Sequence, residues 1–470
     1  MSALAVVDGA TRWTRAELDR HAAAIAAGLL RAGAAHGARV ALLAVPSTGA
    51  IAAIHAVGRI GGVIVPLGVG LTTAELVVAA EVTDPQAVIH GPGLDDAAAA
   101  LGRPALALDE LLAGAAEPSP FAAPSPDSAM PGAIVLTSGT TGRPKAVVLS
   151  PAALMASADA WLAALPPATG WLLAVGLNHV AGLGVVWRAG RSGVPLVVLR
   201  RPDASAIAAA LANDPSPSHV SLVPTVLARI LDAAGGASAP STLRAVPLGG
   251  GTIPAELVTR AITAGWPVVP TYGLSEAGSG VTALPTADAA LHPESAGRPL
   301  PGVEVRITDA DDDGIGEIQV TSAALFTGYL NDPAATAAAF TDDHWLRTGD
   351  LGRLDGEGRL SVVDRRTDRI VRGGENVSPS EVEAVLLEHP AIAEAAVVAR
   401  RDTQFGHVPV AVLVLRDAAV DPGDDELTRF CRNRLAAFKV PASFVRAVLL
   451  PRTASGKIRR AELRASLEER

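Results

Sequence analysis

Apolar positions along this chain recur in two ways. Short runs of aliphatic and β-branched residues, at 39–45, Val63–Pro66 and Ala87–His90, predict buried strands. The stretches between them space apolar residues three and four apart and predict helices. One opens at Trp13-Thr-Arg-Ala-Glu-Leu18 and runs through Leu30 with Thr14 as its N-cap, one covers 47–59, and one begins at Thr72. A Pro- and Ser-rich surface connection follows at 117–131. Beyond it, strands are predicted at 133–137, 146–149, 171–175, 194–199, 219–223, 243–248 and 268–272, and helices at 151–164, 203–212 and 224–234. Strands alternating with helices predict an α/β layer structure with mostly parallel sheets.

Past about residue 290 the texture changes. Short strands at 303–307, 316–321 and 360–363, separated by Gly/Asp turns, predict a small β subdomain. A distinct unit starts near Thr367, with a strand around Ile370, a helix over 378–387, strands over 393–398 and 408–415, and a helix over 425–438. The predicted organisation is a large N-terminal domain, 1–366, of parallel-sheet α/β subdomains plus the small β subdomain, then a smaller α+β domain, 367–470. The polar turn Asp364-Arg-Arg-Thr-Asp368 is the candidate hinge between them.

Composition narrows the function classes. A length of 470 residues suits two or more domains with a large core. The net charge of −9, with no basic run interleaved with aromatics, argues against nucleic acid as a partner. The richest apolar stretch, 51–67, is interrupted by His55, Arg59 and two adjacent glycines, which argues against membrane insertion. Met1-Ser-Ala-Leu-Ala lacks the basic region of a signal peptide. Cys431 stands alone, which excludes an internal disulfide and fits a reducing, cytoplasmic compartment. Only three of the 39 basic residues are lysines, Lys145, Lys439 and Lys457, so a retained lysine marks a place where a compact ammonium matters. The two tyrosines, Tyr272 and Tyr329, also fall beside glycines.

The strands at 133–137 and 146–149 bracket the stretch Thr137-Ser-Gly-Thr-Thr-Gly-Arg-Pro-Lys145, with two glycines, four hydroxyl side chains and one lysine. Such a loop turns backbone N–H groups and hydroxyls toward one point, as phosphate binding requires. It does not fit the G-x-x-x-x-G-K-[ST] pattern, and its ordinary alternative is a flexible hairpin turn. Gly249-Gly-Gly251 and Gly273 follow predicted strands, where α/β proteins bind ligands.

Five stretches in order then carry a resemblance: Thr137 to Lys145, Tyr272-Gly-Leu-Ser-Glu276, Thr348-Gly-Asp350, Asp364 to Asp368 with Gly373-Gly-Glu-Asn376, and Ser455-Gly-Lys457. Together they resemble the acyl-adenylating superfamily of acyl-CoA synthetases, peptide-synthetase adenylation domains and firefly luciferase. The resemblance implies a two-step reaction. A carboxylate attacks the α-phosphate of ATP to give an acyl-adenylate and pyrophosphate, and a thiol, usually that of coenzyme A, displaces AMP.

It also implies residue roles. Thr137, Ser138, Gly139, Thr140, Thr141, Gly142 and Lys145 would hold the β- and γ-phosphates. Tyr272 and Gly273 would lie against adenine, with Gly249, Gly250 and Gly251 admitting the base closely. Glu276, with Thr140, would hold Mg²⁺, and Ser275 would reach the α-phosphate. Asp350 would accept from the ribose hydroxyls, and Arg365 would assist at ribose or phosphate. Lys457 would catalyse the first step by stabilising charge at the α-phosphate. Gly373 and Gly374 would serve coenzyme A after the C-terminal domain rotates about Thr367–Asp368.

His179, Gly278 and Ser279 are the candidates for contact with the acid. Within the family, His179-Val-Ala-Gly182, Ser221-Leu-Val-Pro-Thr225 and Gly373-Gly-Glu-Asn376 look most like the o-succinylbenzoate–CoA ligases of menaquinone synthesis. Three positions depart from that pattern: Ala181 replaces a common serine, Asn178 an aromatic, and Leu274-Ser275 a Met-Thr pair. The expected function is therefore an ATP-dependent acid–CoA ligase acting on a small carboxylic acid of aryl type. Two other readings stay open: an adenylation enzyme that loads a carrier protein, and a nucleotide-binding regulator without catalysis. Oligomeric state is not legible, and the resemblance leaves a homodimer open.

Overall fold

The computed structural model describes residues 4–114, 132–137, 144–214, 216–233, 238–251, 253–365, 370–416, 421–451 and 458–468. It divides into two compact units. One comprises Met1–Val69, Ala80–Leu136 and Ala146–Asp364, and the other Gly70–Ala79, Thr137–Lys145 and Arg365–Arg470.

The first helix shows how local chemistry sets an element. Thr14 accepts from Glu17 N while the Glu17 carboxylate accepts from Thr14 N at 2.7 Å, so two orphan donors are satisfied before the helix Arg15–Arg31 begins. Its Leu18, Ala22, Ile25, Ala26 and Leu29 repeat on one face and are buried. They pack on the helix Thr48–Arg59, whose residues 48–58 are all buried. Each fully buried leucine or isoleucine here contributes about 1.5–3 kcal/mol, and each alanine about 0.8 kcal/mol.

Behind these helices lies a seven-stranded sheet in the order Gly328–Tyr329, Lys145–Leu149, Gly132–Thr137, Val63–Pro66, Arg39–Leu43, Ala87–His90, Ala105–Ala107. The strands from Gly132–Thr137 to Ala105–Ala107 pair in parallel, while Gly328–Tyr329 closes the far edge antiparallel to Lys145–Leu149. A second sheet orders His219–Val220, Trp171–Leu173, Leu196–Val198, Leu4–Asp8 and Thr11–Thr14. A third places Val246–Leu248 parallel to Val268–Tyr272, then Thr282–Ala283 and Arg298–Pro299. The expected β subdomain is a sheet in the order Val303–Thr308, Gly316–Ser322, Leu346–Leu354 and Leu360–Arg365, with the first three strands antiparallel. Among the described residues, no helix is long and apolar enough to cross a membrane.

In the second unit, the long hairpin Ile392–Asp402 with Gly406–Leu415 carries the helices Pro379–Leu387 and Arg460–Glu468. The helix expected over 425–438 runs only Gly423–Arg432. Leu427, Cys431 and Leu435 are spaced four apart, and Val440 and Phe444 from the chain beyond join them in one core. The chain turns beyond the helix, and Arg372 takes the freed carbonyls of Phe438 and Val440 at 3.1 and 3.0 Å.

Several elements were not foreseen. The strands Leu4–Asp8 and Thr11–Thr14 and the helix Ala255–Thr263 are among them. The most consequential is the helix Val180–Ser192, since the sequence there reads as Gly-rich turns. Gly182, Gly184 and Gly190 lower its propensity, but close packing demands the first. A Cβ on Gly182 would stand 2.2 Å from the Gly176 carbonyl oxygen.

Candidate functional site

The strand Val268–Tyr272 ends at Tyr272, whose hydroxyl donates to Asp350 Oδ2 at 2.7 Å. Asp350 is only 6% exposed, so this donor compensates a buried charge. The sequence presents Thr348-Gly-Asp350 as a turn, yet it lies inside the strand Leu346–Leu354. Gly349 adopts φ +70°, Thr348 Oγ1 donates to Ile318 O at 2.7 Å, and pairing shifts opposite Glu317 and Gln319. This irregularity re-aims Asp350, as bulges commonly do beside functional sites.

After Tyr272 the chain makes a tight loop. A Cβ on Gly273 would lie 1.6 Å from Ser279 O, so only glycine fits. Ser275, Glu276 and Ala277 form one short 3₁₀ turn, closed by Gly278 at φ +65°. Ser279 follows at φ +106°, a strained value for a residue with a Cβ. The loop is pressed onto the helix Pro151–Ala164, where Ser157 Oγ donates to Gly278 O at 2.6 Å. A Cβ on Gly280 would stand 2.3 Å from Trp161 Nε1.

Glu276 is 7% exposed. Its Oε1 accepts from Tyr329 Oη at 2.9 Å, and its carbonyl oxygen accepts from Phe326 N at 2.8 Å. Among the described residues, no group of three or more His, Cys, Asp or Glu side chains could hold a metal. One buried carboxylate with an oxygen beyond its tyrosine bond fits Mg²⁺ that arrives with phosphate oxygens better than a cation caged by protein. Gly250 has φ +77°, and a Cβ on Gly249 would crowd Thr271 Cγ2 at 2.9 Å. The neighbouring strand thus already requires glycine at 249, apart from any bound base.

Beneath the loop is a cluster the sequence reading missed. Arg188, on the helix Val180–Ser192, is 2% exposed and has no carboxylate partner among the described residues. Its guanidinium lies 5.3 Å from the Trp161 ring centroid and 4.7 Å from that of Trp171, and Nη2 donates to Ser221 Oγ at 3.3 Å. Burial pushes it down to about 9. Arg188 Nε, Trp161 Nε1, Trp171 Nε1 and His219 Nε2 are all buried without a hydrogen-bond partner. Trp187 Nε1 and Trp266 Nε1 are likewise buried without a partner elsewhere in the chain, so the buried guanidinium, rather than the indoles, distinguishes this cluster. The signal was an arginine inside the apolar run Val185-Val-Trp-Arg-Ala189.

His179 precedes that helix as its N-cap residue, half-buried, with Nε2 3.3 Å from Asn178 Nδ2. Tyr272, Gly273, Ser275, Glu276, Gly278, Ser279 and Asp350 are thus brought together, with Gly249 one strand away. Thr137 and Lys145 end and begin the strands Gly132–Thr137 and Lys145–Leu149. Ser138, Gly139, Thr140, Thr141 and Gly142, the candidate hinge at Thr367–Asp368, and Lys457 lie outside the described residues. Arg365 closes the strand Leu360–Arg365. In the second unit Gly373 and Gly374 form the tip between Ile370–Arg372 and Glu375–Val377, at φ +61° and +94°. Lys439, also in that unit, bonds both Glu75 and Glu381 at 2.6 Å.

Comparison with known proteins gives this geometry its context. The family model described as AMP-binding enzyme matches residues 1–330, and that of the AMP-binding enzyme C-terminal domain matches 381–457. A 2-succinylbenzoate–CoA ligase of Bacillus cereus is 34% identical over 96% of this chain and 93% of its own. The o-succinylbenzoate CoA synthetase of Bacillus subtilis, as a double mutant bound with its product analogue OSB-NCoA, superposes with a TM-score of 0.91 at 31% identity, covering 99% of this chain and 96% of that one. The same synthetase in complex with ATP and magnesium gives 0.73 at 32% identity, covering 98% and 96%. Matched over most of its length, with both buried carboxylates inside the matched or adjoining segments, the chain belongs to the AMP-binding enzyme family.

Proposed function

We propose that the acid taken by this ATP-dependent, AMP-forming acid–CoA ligase is 2-succinylbenzoate, an aryl acid with two carboxylates, which places the enzyme in menaquinone synthesis. One carboxylate attacks the α-phosphate of ATP and becomes the acyl-adenylate as pyrophosphate leaves. The coenzyme A thiol then attacks the acyl carbon and AMP departs. Mg²⁺ bound with ATP neutralises phosphate charge during the first step.

Arg188 is the observation that supports this acid. The buried guanidinium meets a serine hydroxyl and two indole faces but no carboxylate among the described residues, and the N–H groups of both indoles are unpartnered. A second carboxylate on the substrate supplies what is missing, beside the loop Gly278–Gly280 that faces Trp161. Glu276 and Thr140 take the cation, Asp350 accepts from ribose, and Tyr272 fixes Asp350. Lys145 and the hydroxyls at 137–141 hold the outer phosphates, while Lys457 stabilises charge at the α-phosphate. The lone, buried Cys431 supports a reducing, cytoplasmic location, which cell fractionation tests.

The decisive experiment compares 2-succinylbenzoate with the analogue in which a methyl group replaces the carboxylate that is not activated. Acyl-CoA is followed by mass spectrometry for the unaltered protein and for Arg188→Met. The unaltered enzyme is expected to prefer the diacid. Arg188→Met should raise KM for it at least about 30-fold while barely changing turnover of the analogue. Equal effects on both acids would remove the assignment.

A further inference from the structure

Of the chain's two tyrosines, Tyr272 donates to the proposed ribose carboxylate Asp350, and Tyr329 donates to Glu276. We propose that Tyr329 is a positioning residue: its hydroxyl fixes the orientation of the Glu276 carboxylate, and thereby tunes the affinity of that carboxylate for the divalent cation brought by ATP. This rests on the reading of Glu276 as the carboxylate for Mg²⁺.

The segment Phe326–Tyr329 grips Glu276 at two points. Phe326 N donates to its main-chain oxygen at 2.8 Å and Tyr329 Oη to its Oε1 at 2.9 Å. Both ends of the residue are therefore referred to one short piece of chain. That piece is itself held. Tyr329 meets Phe326 edge-on at 4.9 Å, Phe326 stacks on Phe340 at 5.4 Å, and Tyr329 N donates to Thr336 Oγ1 at 2.9 Å. Gly328 is required, because a Cβ there would meet Thr336 Cγ2 at 2.8 Å. Tyr329 pairs with Val147 and Gly328 with Val148, and Val147 is two residues beyond Lys145 in the chain.

The choice of a phenol carries chemical meaning. A glutamate side chain ordered without help forfeits up to about 2 kcal/mol of rotamer entropy. A buried arginine or lysine would order it too, but would place a positive charge against the incoming cation. A phenol orders the carboxylate as an uncharged donor and adds no positive charge beside it. Partners of metal ligands act in this way, and their loss typically lowers metal affinity by about 10–100-fold.

The test removes the hydroxyl alone. Tyr329→Phe, Glu276→Gln and the unaltered protein are titrated with Mn²⁺ in the presence of a non-hydrolysable ATP analogue, and bound Mn²⁺ is read by electron paramagnetic resonance. Release of AMP by coenzyme A from supplied acyl-adenylate reports that each protein is folded. Tyr329→Phe is expected to weaken Mn²⁺ about tenfold, and Glu276→Gln more strongly. If Glu276→Gln weakens Mn²⁺ and Tyr329→Phe does not, the positioning role is overturned while the reading of Glu276 stands. If neither changes Mn²⁺ affinity, both fall.

Discussion

Replacing Arg188 by methionine separates two meanings of a buried cation. If Arg188 were there to stabilise the fold, its removal should unfold the protein. The structure argues otherwise. Burial holds its pKa down at about 9, and a depression of that size corresponds to a penalty of about 5 kcal/mol for keeping the group charged inside. Two indole faces return about 2 kcal/mol each when desolvated, and the bond to Ser221 about 1.5–3 kcal/mol. These terms nearly cancel, and methionine fills a similar volume with apolar atoms. Arg188→Met should therefore leave the unfolding free energy within about 2 kcal/mol of the unaltered value, as measured by urea titration at pH 7.

The sign with pH follows from the same depression. Above pH 9 the folded protein releases this proton before the unfolded chain does, so the Arg188 penalty shrinks as pH rises. In Arg188→Met that alkaline gain should vanish. A loss well beyond 2 kcal/mol at pH 7, with KM for 2-succinylbenzoate unchanged, would show that the arginine is structural and that the reasoning is wrong.

Further outcomes are expected elsewhere in the chain. Lys457→Ala should slow acyl-adenylate formation by about 10²–10³ while largely sparing thioester formation from supplied acyl-adenylate, and equal losses in both half-reactions would reject the assignment. Ser279→Gly should raise thermal stability by about 1 kcal/mol, because φ +106° strains a residue with a Cβ; an unchanged or lower melting temperature would refute this. His55 and His219 are buried neutral, at about 3 and about 4, chiefly through desolvation. Since the unfolded chain takes up these protons first, stability should be complete above about pH 6.5 and fall on acidification by up to about 2.7 kcal/mol per pH unit, measured by urea titration between pH 7 and 5. A flat profile over that range would rule out both.

Much of the fold was legible because periodicity and caps agree. Thr14, Ser47 and Asp203 each accept from the backbone three residues on, where their helices were expected to start. The carboxylate motifs were legible as residue types, since Tyr272-Gly-Leu-Ser-Glu276 and Thr348-Gly-Asp350 stand out without coordinates. What was hidden depends on tertiary contact. Gly182 looks like a helix breaker until the Gly176 carbonyl is seen against it. Asp350 looks like a turn residue until its strand irregularity is seen. Arg188 was masked by composition, because arginine is the chain's default cation and one more attracts no notice.

That same composition gives the two tyrosine contacts their force. The chain has arginine in abundance and only two tyrosines, yet both phenols donate to the two buried carboxylates of the candidate nucleotide site. An arginine at either place would make the stronger bond, and by composition was the likelier residue to be there. It would also hold the carboxylate's charge for itself. At an effective dielectric near 20, a cation about 4 Å away contributes about 4 kcal/mol, which an arriving Mg²⁺ or ribose hydroxyl would have to displace. A neutral donor fixes direction without that competition. Each phenol thus orients a buried carboxylate without itself adding a positive charge beside it, which suits the proposed meeting of both carboxylates with the nucleotide.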